Sequence, residues 1–189
     1  MHQRSSICLW LALSMIAAPV TAAETIPDVP TPVAGYASIT YLDLLRQVMP
    51  DIAVEQDFAR GKLRFALRSI DGLVPETEMT TSVDVRSISA QPFTSGDKPH
   101  LALIVPLGED WLTMLAVFEM GPAPRFVDAA DIGLDRLTGF DDQPILPIGD
   151  GHDALVTSSA HANASESFEQ NALIMLHAGS LQLVEHFTS

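Results

Sequence analysis

HLALIVPLGEDWLTMLAVFEM, residues 100–120, is the stretch of sequence that decides the fold. His100–Leu107 is almost continuously apolar, which is typical of a strand in the middle of a sheet. Gly108-Glu109-Asp110 has the composition of a turn, and Trp111–Met120 then resumes the apolar pattern. We therefore predict that the two apolar segments pair as an antiparallel hairpin.

Further strand-like segments flank this hairpin over the whole chain after Gly61. The predicted strands are Lys62–Ile70, Thr80–Ser89, Arg125–Ile132, Ile145–Ile148, Ala154–Ser158, Ala172–His177 and Leu181–Phe187. Gly133–Gln143 is predicted to be irregular, and Gly179-Ser180 predicts a tight turn before the last strand. Because short turns separate the strands, we predict a mainly-β fold, an antiparallel meander that forms a sandwich, an open barrel or propeller-like blades.

One helix is predicted, at the N-terminal end of this domain, over Ser38–Met49. Thr40 is a capping residue with Asp43 three positions later, and Pro50 ends the helix. The preceding residues 24–37 contain three prolines and predict an extended arm rather than a folded element. Residues 38–189 are then predicted to form one domain, since their number suits a single core.

The first 23 residues have the order of a secretory signal peptide. A short polar start with Arg4 precedes the apolar run Ile7–Val20 and the small residues Val20-Thr21-Ala22-Ala23. The run is shorter than the roughly 20 residues that a membrane span needs. We predict cleavage after Ala22 or Ala23 and export to the periplasm or exterior of a bacterium. The mature chain would have no cysteine, because Cys8 is the only one.

Charge restricts the class of partner. The chain has 24 Asp and Glu residues and ten Lys and Arg residues, of which Arg4 lies in the predicted leader. Such an excess of negative charge repels nucleic acid and anionic lipid. The expected partner is therefore an unknown protein or small molecule, and neither nucleic acid nor a membrane span is predicted.

An acidic segment between residues 128 and 153 is the first candidate site. Its carboxylates are Asp128, Asp131, Asp135, Asp141, Asp142, Asp150 and Asp153. The piece Asp150-Gly151-His152-Asp153, followed by an apolar strand, resembles the end of the calcium loops in FG-GAP and related β-propeller repeats. That resemblance implies a weak calcium site, although Pro147-Ile148-Gly149 stands where the repeats place further ligands. The alternative is that Asp and Gly serve only the turn.

Two histidines extend the candidate metal set. His152 and His161, with Asp150 and Asp153, offer imidazole and carboxylate ligands, but their spacing matches no standard zinc motif. His161 begins a predicted polar loop, His161–Gln170, of the kind that often carries binding function. No other cofactor is implied. The alternative for both histidines is a solvated or locally hydrogen-bonded role.

Two further groups of residues have side chains suited to chemistry or binding. Ser158, Ser159 and Ser165 lie near His161, but no nucleophile motif surrounds them. Four basic residues lie within a span of nine positions, namely Arg60, Lys62, Arg64 and Arg68. Three of them would share one face of a strand, where they could bind an anion or pair with cross-strand carboxylates.

The sequence thus predicts an exported, soluble, β-rich binding or interaction module of unknown ligand. The alternative is a periplasmic hydrolase whose site is assembled from loops, with or without a metal, so the question of enzymatic activity stays open. Geometry separates the two. Convergence of Asp150, His152, Asp153 and His161 in a pocket would favour the hydrolase, and their dispersal over turns would favour the binding module.

Overall fold

The computed structural model describes residues 22–26, 28–72, 80–108, 112–133, 137–162 and 167–188. The helix α1 spans Tyr41–Val48, and a short 3-10 helix spans Val85–Ser87. The strands are β1 (Glu24–Thr25), β2 (Pro32–Val33), β3 (Tyr36–Thr40), β4 (Ala53–Glu55), β5 (Phe58–Lys62), β6 (Arg68–Ser69), β7 (Thr80–Asp84), β8 (Ser89–Ser95), β9 (Lys98–Leu107), β10 (Leu112–Glu119), β11 (Arg125–Asp131), β12 (Leu137–Gly149), β13 (His152–Ala162), β14 (Ser167–His177) and β15 (Ser180–Thr188). None of the helices in the described ranges has the length and apolarity needed to cross a membrane.

Nine strands form the central sheet. Its main order is β4-β5-β7-β9-β10-β11-β6, with β8 beside β9 and β1 beside β8. All of its pairs are antiparallel except the short pair of β11 with β6. The predicted hairpin is confirmed, because β9 and β10 pair in register from Leu107 with Leu112 to His100 with Glu119.

The apolar run in β9 is explained by burial on both faces. Leu103 and Val105 face α1, together with Met114 and Phe118 of β10. The alternate residues of the same strands belong to a second core on the opposite face of the sheet, namely Ala102, Ile104, Leu115 and Val117. Successive side chains in a strand point to opposite faces, so a strand buried on both faces is apolar throughout.

The outer sheet contains the remaining long strands in the simple order β12-β13-β14-β15, all antiparallel. Its inner face packs against the central sheet through Leu155, Ile174, Leu176 and Leu181. The mainly-β antiparallel prediction is confirmed, in the form of a sandwich with α1 on the far side of the central sheet. The last predicted hairpin is also present, with Ala178 and Gly179 at positive φ in the turn.

The helix begins three residues later than predicted, because Ser38–Thr40 belong to β3. The capping box is present: the Asp43 amide donates to Thr40 Oγ1 at 3.1 Å, and the Thr40 amide donates to Asp43 Oδ2 at 3.0 Å. Gln47 fixes the helix to the start of β11, since its amide donates to Pro124 O and accepts from the Phe126 amide.

The N-terminal arm is part of the fold, which corrects the prediction that residues 24–37 form an extended arm rather than a folded element. β1 pairs with β8, and β2 pairs with β3. Ile26, Val29 and Val33 are buried in the core on the α1 side. The prolines break the segment into short pieces, and this concealed its apolar residues from a pattern-based prediction.

Two predictions about the outer sheet are wrong. Gly133–Gln143 was expected to be irregular, yet β12 begins at Leu137 and contains a bulge between Phe140 and Ile145. Asp141, Asp142 and Pro144 lie in that bulge, and bulges are among the few places where a strand accepts a proline. The expected loop His161–Gln170 is mostly strand, since β13 continues to Ala162 and β14 begins at Ser167.

Two predictions about the central sheet also need correction. The expected strand Lys62–Ile70 is not continuous. β5 already ends at Lys62, and a non-strand segment separates β5 from β6. The expected strand Thr80–Ser89 is interrupted after Asp84, whose carboxylate accepts from the Arg86 amide and caps the 3-10 helix. A capping aspartate therefore ends β7 where the Thr- and Val-rich pattern suggested continuation.

Candidate functional site

The four residues of the predicted metal site do not converge. His152 and His161 lie near opposite ends of β13. At about 3.3 Å per residue, roughly 30 Å of extended strand separates them. The backbone of His161 pairs with Phe168 of β14, whereas Asp150 lies in the turn that precedes His152.

The residues around Asp150 instead join the two sheets. Asp153 Oδ2 accepts a hydrogen bond of 2.8 Å from the Thr94 amide at the end of β8. His152 Nδ1 accepts from the Gly96 amide at 3.3 Å, and Gly151 O accepts from the Asp97 amide at 3.2 Å. We call these contacts, between Asp150–Asp153 and Thr94–Asp97, the turn clasp. It fixes the β12–β13 turn of the outer sheet to the β8–β9 turn of the central sheet.

Gly151 explains why a glycine stands inside this motif. Its φ is +71°, a conformation that favours glycine, and a Cβ there would overlap the Asp97 carboxylate. The Asp97 side chain thus lies directly over the turn that resembles a calcium loop. Among the described residues, no group of three or more His, Cys, Asp or Glu side chains is arranged to hold a metal ion. Calcium binding stays a prediction.

Asp128 forms a second clasp between the sheets. Its Oδ2 accepts from Arg68 Nη2 at 2.6 Å and from the Leu181 amide of β15 at 2.7 Å. Arg68 also donates to Leu181 O at 2.8 Å. We call this group, Arg68 and Asp128 with Leu181, the salt-bridge clasp. The carboxylate and the guanidinium bind the N–H and the C=O of the same residue, and they hold this end of β15 against β11.

The other predicted carboxylates have separate roles. Asp131 Oδ1 accepts from the Thr113 and Gly133 amides, and burial raises the pKa of its carboxyl group. Asp141 accepts from the Gln143 amide in the β12 bulge, where Asp142 is exposed. Asp135 lies outside the described residues. The acidic segment is therefore distributed over turns and a bulge.

The basic residues are also dispersed, which corrects the prediction of one stripe. Arg60 and Lys62 lie on β5, Arg68 belongs to the salt-bridge clasp, and the Arg64 guanidinium stands 5.1 Å from the centre of the Phe126 ring. Arg64 and Arg68 line a shallow cleft of about 360 Å³. The contact of Arg64 with Phe126 is a cation–π pair on an exposed surface.

The serines near His161 have structural partners. Ser158 Oγ donates to Glu169 Oε1 at 2.6 Å across β13 and β14. Ser159 Oγ lies 2.6 Å from Thr138 Oγ1 in a buried pair that joins β13 to β12. Ser165 is outside the described residues.

An apolar surface on the outer sheet was missed by the sequence reasoning. In the described part of the chain, six large apolar side chains are exposed, and five of them lie in β12 and β15. These five are Leu137, Leu146, Ile148, Val184 and Phe187, with exposed fractions between 43% and 70%. Leu146 pairs with Ala154 in the ladder, and Ala154 pairs with Met175. We call the side of the outer sheet that carries these residues the outer face.

The middle of the outer face is apolar as well. Val156 and Leu173 are directly paired, half-buried neighbours on β13 and β14. Asn171, beside Phe187, has a buried Oδ1 without a hydrogen-bond partner among the described residues. Since antiparallel sheets with one solvated face usually alternate apolar and polar residues, apolar residues on both faces call for an explanation. Apolar and polar residues barely alternate in residues 145–148 (ILPI), 154–156 (ALV) and 172–176 (ALIML). This pattern is visible in the sequence and could have indicated the apolar outer face.

The outer sheet is also electrostatically distinct. Residues 137–189 contain no lysine or arginine. They contain seven acidic residues, namely Asp141, Asp142, Asp150, Asp153, Glu166, Glu169 and Glu185. Arg136 is the last lysine or arginine in the chain, so residues 137–189 have a formal charge of −7, which is half of the −14 of the whole chain.

In the described residues, these features amount to an exposed apolar surface and two clasps that join the sheets. Comparisons with known proteins add no homologue to this picture. No protein-family model, no curated protein and no solved structure matches the chain.

Proposed function

We propose that the protein is an exported binding module that docks a partner protein on the outer face. The observation that carries the proposal is the exposure of Leu146, Val184 and Phe187 on the two edge strands of a sheet whose other side forms the core, with the apolar Val156 and Leu173 on the strands between them. Large apolar areas on a protein surface are uncommon on monomers and often mark interaction sites.

The shape of the outer face favours a protein over a small molecule. It is the flat side of a four-stranded sheet, and a small ligand needs a concave pocket to bury most of its surface. A protein of complementary shape can cover the whole face and exclude water from its apolar middle. The half-buried Val156 and Leu173 would form the centre of such an interface.

Charge specifies the partner further. Glu169 and Glu185 lie on the sheet, and the chain offers no Lys or Arg after Arg136. A partner with basic residues around an apolar patch would match this distribution, and it would be attracted over long range. We therefore name a basic protein of the same exported compartment as the occupant.

The hydrolase alternative stays a prediction. The dispersal of the four candidate residues over β13 and its turn is the outcome that favours the binding module. Weak calcium binding is compatible with either function and is not needed for the proposed one.

The test compares three forms of the purified protein. The face variant is Leu146→Ser/Val184→Ser/Phe187→Ser, and the matched control is Phe58→Ser, which removes an exposed apolar side chain from the central sheet. A protein retained from the host envelope by wild type is identified, purified and titrated against all three forms. We expect the dissociation constant to rise at least tenfold, about 1.4 kcal/mol, in the face variant only.

Two further outcomes decide the proposal. Affinity for the purified partner should fall with added salt, because the attraction is partly electrostatic. Unchanged affinity in the face variant, or an equal loss in Phe58→Ser, would rule out the outer face as the docking surface.

A further inference from the structure

One row of residues crosses all four strands of the outer face and includes a buried polar side chain. Gly139 of β12 pairs with Ser158 of β13, Ser158 pairs with Asn171 of β14, and Asn171 pairs with Phe187 of β15. Directly paired residues of neighbouring strands project to the same face, so these four lie side by side. A Cβ added at Gly139 would meet no atom within 4 Å, so the row begins at open space. We call these four residues, together with Glu169, the notch.

Asn171 is the unusual member of this row. It is only 7% exposed, and its Oδ1 has no hydrogen-bond partner among the described residues. The next residue, Ala172, belongs to the core between the sheets, so the side chain of Asn171 projects away from that core and toward the outer face. A buried amide oxygen without a donor lowers the stability of the folded state, so its presence calls for an explanation.

Glu169 places a negative charge beside Asn171. It lies two positions earlier in β14, on the same face and roughly 7 Å away along the strand. Its Oε1 accepts a hydrogen bond of 2.6 Å from Ser158 Oγ, which holds the carboxylate over the sheet. Within the described ranges, Oε2 of Glu169 has no such partner. Two acceptors, one fully charged and one a carbonyl oxygen, therefore lie next to each other without donors.

Phe187 lies on the other side of Asn171. It is 45% exposed and belongs to the edge strand β15. Aromatic faces attract cations through the ring quadrupole, and arginine is the commonest partner. Because Asn171 Oδ1 itself is buried, a donor reaches it only after a neighbouring side chain turns aside. Rotamer changes of this kind are common at interfaces, and the exposed Phe187 is the neighbour that can move.

We propose that the notch binds an arginine side chain of the docked partner. This inference rests on the proposed function, and it names the residue type that the outer face recognises. A guanidinium carries several N–H donors in one plane, so it can bind Glu169 Oε2 and Asn171 Oδ1 together while its face lies on the Phe187 ring. A lysine ammonium is a compact point charge and does not stack on a ring in this way.

The charges of the chain favour this occupant over a second copy of the outer face. No lysine or arginine follows Arg136, so a second outer face would bring neither of these side chains to the notch. Its carboxylates would repel Glu169. An apolar side chain in the same place would leave Glu169 and Asn171 without donors and shield them from water, which is unfavourable. A basic side chain from a different protein satisfies both groups.

Three capped tripeptides serve as probes. They are acetyl-leucyl-arginyl-leucinamide and its counterparts with lysine and with citrulline, which has the shape of arginine without its charge. Each is titrated into isotope-labelled protein at about 150 mM salt, which screens unspecific attraction. NMR shifts of the backbone and side-chain amides of Asn171 report binding. We expect the arginine peptide to bind about fivefold more tightly than the citrulline peptide, with the lysine peptide between them.

Matched variants test the charge and the ring. Glu169→Gln keeps an acceptor for Ser158 Oγ but removes the charge, so it should abolish the preference for arginine over citrulline. Asp150→Asn removes a charge from the turn before β13, roughly 20 Å of strand away from Ser158, and should keep the preference. Phe187→Leu keeps an apolar side chain but removes the ring, and it should weaken binding of the arginine peptide more than that of the citrulline peptide.

Asn171→Leu separates recognition from folding. Leucine has nearly the shape of asparagine and leaves no acceptor without a donor, so the melting temperature should rise. The preference for arginine over citrulline should fall at least about twofold, because one of the two acceptors is lost. A lower melting temperature would show that Asn171 stabilises the fold, and it would overturn the inference.

Three binding results would also overturn it. These are no saturable binding of the arginine peptide below about 10 mM, equal affinity for the arginine and lysine peptides, and a preference that survives Glu169→Gln. Failure of the docking proposal looks different. Leu146→Ser lies outside the notch, so it should weaken binding of the purified partner and leave the arginine preference unchanged. If Glu169→Gln and Asn171→Leu leave the affinity for that partner unchanged while the face variant lowers it, only the notch inference fails.

Discussion

The central and outer sheets place similar side chains in different surroundings. In the central sheet, β9 and β10 are apolar on both faces because α1 covers one face and the outer sheet covers the other. In the outer sheet, the face toward the core is covered, and the face with Val184 and Phe187 is exposed. Burial within the fold explains the first pattern completely. It leaves the second unexplained, and this difference is what points to a partner.

The two sheets also differ in charge. Every lysine and arginine of the chain precedes residue 137, and several of them form ion pairs on the central sheet. Glu119, for example, binds both Lys98 and Arg125 there. The carboxylates of the outer sheet have no bases in their own sheet to pair with. Residues 1–136 carry the same formal charge of −7, but there seventeen carboxylates are accompanied by ten bases.

The largest expected effect contrasts a buried leucine with an exposed valine. Leu115→Ala in β10 should lower the free energy of unfolding by about 3 kcal/mol, because it leaves a cavity between the sheets. Val184→Ala on the outer face should change it by less than about 0.5 kcal/mol. Urea unfolding measures both. A large loss in Val184→Ala would mean that the outer face is covered within the protein itself.

Breaking the turn clasp should come next in size. Gly151→Ala should cost about 2 kcal/mol or more, because it combines a positive φ with overlap of the Asp97 carboxylate. Gly149→Ala, in the same turn at φ +92° with no atom within 4 Å of the added Cβ, should cost about 1 kcal/mol. Chemical denaturation distinguishes them. Equal losses would show that the contact between the two turns contributes nothing.

The salt-bridge clasp should contribute somewhat less. Asp128→Ala removes the acceptor for both Arg68 and the Leu181 amide, and we expect a loss of about 1.5 kcal/mol. Asp142→Ala, an exposed aspartate in the β12 bulge, is the matched control and should be nearly neutral. The same denaturation assay applies. A neutral Asp128→Ala would mean that the sheets are held by apolar packing alone.

The smallest expected effect is on how the free energy of unfolding depends on pH, through His100 in the central sheet. Burial lowers the pKa of His100, although its hydrogen bond to Lys98 O opposes the shift. As the pH falls below about 6.5, the unfolded chain binds a proton at this histidine before the folded protein does. The free energy of unfolding should therefore decrease as the pH falls through this range.

His100→Gln should make that decrease shallower, and thermal melts between pH 7.5 and 5 measure it. His177→Gln, which alters an exposed histidine of the outer sheet, is the control and should keep the wild-type slope. An identical slope in His100→Gln would show that burial of this imidazole is not linked to folding.

Much of the sheet structure could be predicted, because it depends on local pattern. The apolar run from His100 identified a central strand, and Thr40 with Asp43 identified the start of the helix to within three residues. The prediction failed where tertiary contacts decide the conformation. β12 stays a strand through its acidic bulge because β13 pairs with it on both sides of that bulge.

The sequence identified the Asp150–Asp153 motif of the candidate site, but it did not show that this motif joins the two sheets. The Asp150–Asp153 sequence looks like part of a cation loop, and its actual partners, Thr94 to Asp97, are more than fifty residues away in the chain. A cavity of about 250 Å³ under the N-terminal arm was equally hidden, since its walls come from the arm, the helix and three strands. Long-range contacts of this kind leave no periodic trace in a single sequence.

The absence of lysine and arginine after Arg136 has a practical consequence for anyone who handles this protein. Trypsin cannot cleave anywhere within residues 137–189, so a digest keeps this whole segment in one long peptide. Amine-directed labels and surface couplings will react elsewhere, at the α-amino group and at Lys62 and Lys98 on the central sheet. A sensor chip prepared by ordinary amine coupling therefore leaves the outer sheet chemically unmodified.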